Sequence, residues 1–244
     1  GSDVLMMAVV KSNAYGHGLL GVSAICVREK VDWLGVDSLD EAMEIRKSGI
    51  ETPLLILGYV PLERLADAVE EGIDVTVYNE ETVERLAREA ERLGKDAFVH
   101  IKVETGTSRQ GIEGEALLAL ARKIQTLPRL RLRGLSTHFA NIEDTTDHSY
   151  AEEQLRRFNE AHKLLKQAGI EVPYRHAACS AAAILFPETQ LNLARFGISM
   201  YGEWSSGETR VSAEAKGIRL HLESCLTWKT RVAQVKRVRA GTSI

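Results

Sequence analysis

Short apolar runs alternate with longer stretches of helical spacing along most of the chain, and this repeated change of period constrains the fold more than any single motif. Strands are expected at residues 4–10, 33–36, 53–57, 73–77, 97–103, 130–137, 172–177 and 191–193, because each run is too short for a helix and most are rich in Val, Ile and Leu. Helix starts are legible between them. Ser38 stands three residues before Glu41 as in a capping box, Pro61 takes a first-turn position, and Asn79 precedes Glu80 and Glu81. Gly49, Gly72, Gly94 and Gly169 follow helical runs, where a left-handed cap suits glycine. Such alternation predicts an α/β fold, a parallel (β/α)8 TIM-like barrel, with an open doubly wound sheet as the alternative. The barrel is expected over residues 1–217. After a polar stretch at 202–217, the alternating run at 222–238 predicts the first strand of a second, β-rich domain, incomplete within 218–244.

Composition narrows the function classes. At 244 residues, 44% hydrophobic and 27% charged, the chain can bury a barrel-sized core. A net charge of -3 weighs against a nucleic-acid partner. No apolar run approaches the roughly 20 residues of a membrane helix, so a cytoplasmic protein without membrane attachment is expected. Cys26, Cys179 and Cys225 are odd in number and far apart, which predicts reduced thiols. The seven histidines include no His-x-His or His-Glu-x-x-His arrangement, so no metal site is expected.

A barrel gathers its chemistry on the loops that follow its strands. The polar candidates in those places are Lys11, Asp37 with Ser38, Tyr78, Lys102 with Arg109, His138, Cys179 with Ser180, and Arg195 with Gly197. Lys11 is the most telling. An amine at the end of a buried strand loses hydration, which favours its neutral form, and a neutral amine attacks an aldehyde to form a Schiff base. Pyridoxal phosphate (PLP) needs such an amine, an anion cradle and groups that tune a pyridine ring. The segment from Arg195 to Gly202 suits the cradle, with close backbone approach at Gly197, a hydroxyl from Ser180, and Tyr15 four residues beyond Lys11. A cofactor-free barrel enzyme using Lys11 on a carbonyl substrate is the alternative reading of the same residues.

The stretch Ala8-Val9-Val10-Lys11-Ser12-Asn13-Ala14-Tyr15-Gly16-His17-Gly18 closely resembles the PLP-attachment signature of the bacterial alanine racemases. The resemblance continues through Lys102 to Gly106, Arg109, Ser136 to Ala140, Ser180 to Ala182, and Arg195 to Gly202, in the family's order. It implies a PLP-dependent isomerase that interconverts L- and D-alanine for cell-wall precursors, working as a homodimer on a small amino-acid substrate. Lys11 would hold PLP and act as one of two catalytic bases, with Arg109 and His138 in catalytic support. Tyr15, Ser180, Gly197 and Ile198 would hold the phosphate, and Arg195, backed by His138, would face the pyridine nitrogen. Lys102 matches a position that is often carbamylated. The family's second base, a tyrosine from the partner's β-rich domain, has no counterpart in these residues, so the isolated chain is expected to be deficient. Cys179 stands where asparagine is usual, and Thr107-Ser108 where Met-Gly is common. Serine or broad-specificity racemisation, and PLP carriage without catalysis, are the alternatives within this resemblance.

Overall fold

The computed structural model describes residues 3–243. Among them, strands β1 (Leu5–Val9), β2 (Trp33–Val36), β3 (Leu54–Ile56), β4 (Asp74–Val77), β5 (Ala97–Lys102), β6 (Leu130–Ser136), β7 (Tyr174–His176) and β8 (Leu193–Phe196) form one parallel sheet. The pairing order is β7-β6-β5-β4-β3-β2-β1-β8, so consecutive strands are neighbours and β8 returns to β1. The two ends of this order approach each other and share the bond from Arg195 N–H to Ala178 O at 3.3 Å. The result is the expected (β/α)8 architecture, nearly closed.

Helices form where apolar spacing and caps agree. The long α5 (Glu80–Leu93) starts at Asn79, whose side chain accepts from Thr82 N–H at 2.8 Å, and stops at Gly94, whose φ of 67° suits a residue lacking a Cβ. It buries Val83, Leu86 and Ala90 and turns most of its charged residues outward, the buried Glu89 being paired with Arg85 and Arg92. The layer outside the sheet also includes α2 (Leu19–Arg28), α3 (Leu39–Lys47), α4 (Leu65–Glu70), α6 (Gly114–Thr126), α7 (Ser149–Gln167) and α8 (Ser180–Leu185). The main apolar core lies between the sheet and this helical layer, where Leu34, Leu54, Ile56, Leu65, Leu86, Ile101 and Leu117 are all buried. Inside the barrel, Met7, Trp33, Leu55 and Leu193 form a smaller apolar cluster.

Three expectations change. The last strand begins at Leu193 rather than 191, which puts Arg195 inside a strand. An arginine normally marks a strand's end, but this one has its donors satisfied within the barrel. The polar stretch after Tyr201 contains α9 (Gly207–Ala215), capped by the Ser206 side chain accepting from Thr209 N–H at 2.9 Å and packed on α8 through Ala213. The run at 222–238 forms no strand, and Trp228 is 90% exposed. An alternating pattern needs a neighbouring strand to complete its ladder, and none lies beside it among the described residues. A bond from Cys225 N–H to Tyr201 O, at 3.0 Å, ties this stretch to the barrel.

Candidate active site

Directly after β1 the chain makes a single left-handed turn, α1 (Lys11–Tyr15), in which Ser12, Asn13, Ala14 and Tyr15 have φ of 53–55°. Left-handed geometry costs L-residues about 1–2 kcal/mol each, so the surroundings must over-determine it. They do so at both ends. The Asn13 side chain accepts from Leu19 N–H at 2.8 Å, and Gly16 and Gly18 donate their N–H groups to Asn13 O. The Glu41 carboxylate accepts from Asn13 N–H at 3.1 Å with one oxygen and from Asp37 N–H at 3.0 Å with the other. Ser38 does cap α3, accepting from Glu41 N–H at 3.3 Å, but the reciprocal half of the expected capping box is absent. Glu41 instead clamps the Lys11 turn to the loop after β2. Behind the turn, Tyr201 donates its hydroxyl to Val9 O at 3.2 Å and stacks on His17.

One cavity of about 560 Å³ opens beyond the strand ends. It is lined by Lys11, Tyr15, Lys102, Arg109, His138, Ser180, Arg195, Gly197 and Ile198, which lie on five of the strand-to-helix connections or their strands, and by Asp37 and Cys179. Tyr78 and Ser38 do not line it. The dehydration expected of Lys11 is not found. Because the chain turns immediately after Val10, the amine emerges into the cavity, 40% exposed, with Asp37 Oδ1 at 3.6 Å.

The polar end is a tight cradle. Ser180 Oγ accepts from Gly197 N–H at 3.1 Å and Ser199 N–H at 3.4 Å. A Cβ at Gly197 would stand 2.4 Å from Tyr15 Oη, so glycine is what lets the tyrosine close on the cradle. Ser199 Oγ is buried there without a hydrogen bond. Thr107 donates its hydroxyl to His138 O at 2.6 Å, tying the loop that carries Arg109 to the end of β6.

Buried cations dominate the electrostatics. Arg195 donates from NH1 to His176 Nδ1 at 2.9 Å and His176 O at 2.8 Å, and from NH2 to Thr137 O and Ala177 O, each at 2.9 Å. His138 Nδ1 lies 3.4 Å from NH2. Burial draws the Arg195 pKa down to about 10, which leaves it a cation at neutral pH. Burial, with Arg195 and Arg109 next, pushes Lys102 well below the usual lysine range. Burial and then Arg195 likewise hold His138 and His176 well below the ordinary histidine value, so both imidazoles are neutral acceptors. Burial raises the Cys179 thiol, which keeps it protonated.

These depressed histidines fix the sign of a pH response. The unfolded chain takes up protons below about pH 6.5 while the folded one does not, so their stabilising contribution is complete above that pH and is lost progressively below it. The slope is about 1.4 kcal/mol per histidine and pH unit. Denaturant titrations at about pH 7 and about pH 5.5 should reveal this loss; equal stabilities would contradict it.

Sequence reasoning missed Thr76 and His176, which also line the cavity, and gave no site role to Ser136 or to the supporting Glu41. The available signal was polar side chains inside apolar strand runs, as at His176 and Thr76.

The alanine racemase N-terminal domain family matches residues 1–204. An alanine racemase of Methanococcus maripaludis is 40% identical over 240 residues, covering 98% of this chain and 62% of the relative. One of Carboxydothermus hydrogenoformans is 40% identical over 238 residues, again covering 98% and 62%. The solved alanine racemase of Bacillus anthracis with bound L-Ala-P superposes with a TM-score of 0.84 at 33% identity, covering 92% of this chain and 56% of that one. This chain therefore spans about 62% of the length of the relatives it matches.

Proposed function

Because the chain belongs to the alanine racemase N-terminal domain family, we propose that it is the cofactor-binding barrel of a PLP-dependent enzyme interconverting L- and D-alanine. The observation that carries this reading is the meeting of Lys11, Tyr15, Ser180, Gly197 and Arg195 around one cavity. The fit to PLP is good at the phosphate end. The hydroxyls of Tyr15 and Ser180 and the backbone of Gly197 and Ile198 line the cavity there and would present donors to an anion. Ser180 Oγ is already held by the Gly197 and Ser199 amides, with the orphaned Ser199 Oγ buried beside them. PLP, when bound, supplies the electron sink that acidifies the Cα–H of an amino acid.

The chain's own residues do the rest. Lys11 would hold the cofactor through its amine and would move a proton on one face of the substrate carbon. Arg195 is oriented by its bonds from NH1 and NH2, none of which uses Nε, and the Nε–H would be free to hold the pyridine nitrogen. An arginine holds its own proton strongly, so Arg195 would offer a hydrogen bond to a ring nitrogen without giving up a proton, which would suit a racemase. Arg109 offers a cation to the substrate carboxylate. Lys102, half-buried in the cavity wall and pushed towards its neutral amine, is suited to add to carbon dioxide, forming an N–C bond and releasing a proton. The carbamate would place an anion among Arg195 and Arg109. Racemisation needs a second group on the opposite face, and we assign it to the part of the relatives that this chain does not span, contributed across a homodimer. No helix among the described residues is long and apolar enough to cross a membrane; a cytoplasmic role in supplying D-alanine to the cell wall is part of the same proposal.

Adding PLP should produce a visible absorption band that borohydride removes, and peptide mass analysis should then place the pyridoxyl group on Lys11. No band, or a label scattered over surface lysines, would defeat the proposal.

A further inference from the structure

A chain of buried polar side chains runs through the barrel interior from the start of β4 to the cavity. Arg133 NH1 donates to Asp74 Oδ1 at 3.0 Å and lies 3.4 Å from Oδ2. Asp74 Oδ2 meets His100 Nε2 at 3.1 Å, His100 Nδ1 meets His176 Nε2 at 2.9 Å, and His176 Nδ1 meets Arg195 NH1 at 2.9 Å. Asp74, His100, His176 and Arg195 are all buried, while Arg133 is 35% exposed at the far end. The fold bends to make room for this chain. The register of β6 on β5 slips between Val99 and His100, so that Val99 faces Leu132 and His100 faces Gly134, with Arg133 as the extra residue. A Cβ at Gly134 would stand 2.0 Å from His100 Nδ1, so only glycine admits the ring. Trp33 packs its edge against the same imidazole.

Donor chemistry orders every proton along this path. A guanidinium can only donate, so His176 Nδ1 accepts from Arg195 and its proton sits on Nε2. His176 Nε2–H then donates to His100 Nδ1, which leaves the His100 proton on Nε2, directed at the Asp74 carboxylate, an acceptor only. Both imidazoles have one satisfied arrangement, and Asp74 anchors it.

We infer that Asp74 and His100 are positioning residues that lock His176 in its Nε2–H tautomer and thereby hold Arg195 in place for the ligand of the cavity. Neither touches the cavity itself; they act through His176. Asp74→Asn reverses the path. Arg133 requires an acceptor, so the amide oxygen turns to it and the amide NH2 group faces His100 Nε2. The proton of His100 moves to Nδ1, that of His176 follows to Nδ1, and a donor then confronts Arg195 NH1.

Long-range nitrogen-proton NMR on histidine-labelled protein distinguishes the two neutral tautomers. The unsubstituted chain should show Nε2–H at both His100 and His176, Asp74→Asn should show Nδ1–H at both, and Arg133→Gln, which keeps the carboxylate, should keep Nε2–H. An Nδ1–H pattern in the unsubstituted chain overturns the inference without any variant having to fold. An unchanged pattern in Asp74→Asn overturns it as well. A second arm rests on the PLP reading: Asp74→Asn should weaken PLP binding about tenfold in an absorbance titration, the scale of one lost hydrogen bond to a charged group. Full PLP affinity alongside reversed tautomers would overturn the positioning role. Absence of PLP binding to the unsubstituted chain would instead defeat the cofactor proposal and leave the tautomer result standing.

Discussion

Lys11→Ala is expected to eliminate the borohydride-sensitive band and to lower L-to-D conversion by at least about 10³-fold in a protein of the relatives' full length, since it removes both the attachment amine and a positioned proton carrier. The fold should be unaffected. Lys11 is 40% exposed, and its pairing with Asp37 at 3.6 Å is of the solvent-screened kind that contributes at most about 1 kcal/mol. The left-handed turn behind it is held by Asn13 and Glu41, which the substitution leaves in place. Chiral chromatography of the product, with a denaturant titration on the same sample, separates lost chemistry from lost structure. A variant that folds normally and still racemises would remove Lys11 from the mechanism.

Arg195→Leu is expected to fail for the opposite reason, through the fold. The guanidinium fills four acceptors in the interior: His176 Nδ1, His176 O, Thr137 O and Ala177 O. A leucine leaves His176 Nδ1, Thr137 O and Ala177 O buried without that donor, at about 1–3 kcal/mol each, while His176 O keeps the bond from Thr137 N–H at 3.2 Å. Relief of charge repulsion on Lys102, His138 and His176 offsets part of this. A net loss of about 4 kcal/mol or more is expected, which is a large fraction of a typical domain's stability. The same substitution should flatten the stability decline below about pH 6.5, because the two imidazoles lose their principal charged neighbour and protonate more readily. A stability change under about 1 kcal/mol would mean that these acceptors find other partners.

The two variants separate the site into a chemical part at the cavity surface and a structural part within the barrel. Lys11, Tyr15, Ser180 and Gly197 sit on connections after the strands, where a backbone that leaves the sheet can adopt left-handed or glycine-dependent geometry. Arg195 and His176 sit in strands, where the ladder fixes the backbone and long side chains reach the cavity from below. Residues of the first kind stood out in the amino-acid order because they cluster in short motifs such as Lys11 to Gly18. Of the second kind Arg195 stood out within the motif running to Gly202, while Asp74, His100 and His176 occur singly within apolar runs that read as ordinary strands.

Local order along the chain was enough to set the eight strands, most of the helices, the caps at Ser38, Asn79 and Gly94, and the strand-to-helix junctions that carry the cavity's surface groups. Each of these depends on residues within one or two turns of each other, and hydrophobic period and capping chemistry act over that range. Tertiary structure alone decided where Glu41 spends its carboxylate, how far Lys11 is hydrated, that Arg195 lies within β8, and that Asp74, His100, His176 and Arg195 join across four strands. It also left 222–238 without a strand, since a ladder needs a neighbour. Closing the barrel brings together groups more than a hundred residues apart, and hydrogen bonding and desolvation follow distance in space, which the amino-acid order does not record.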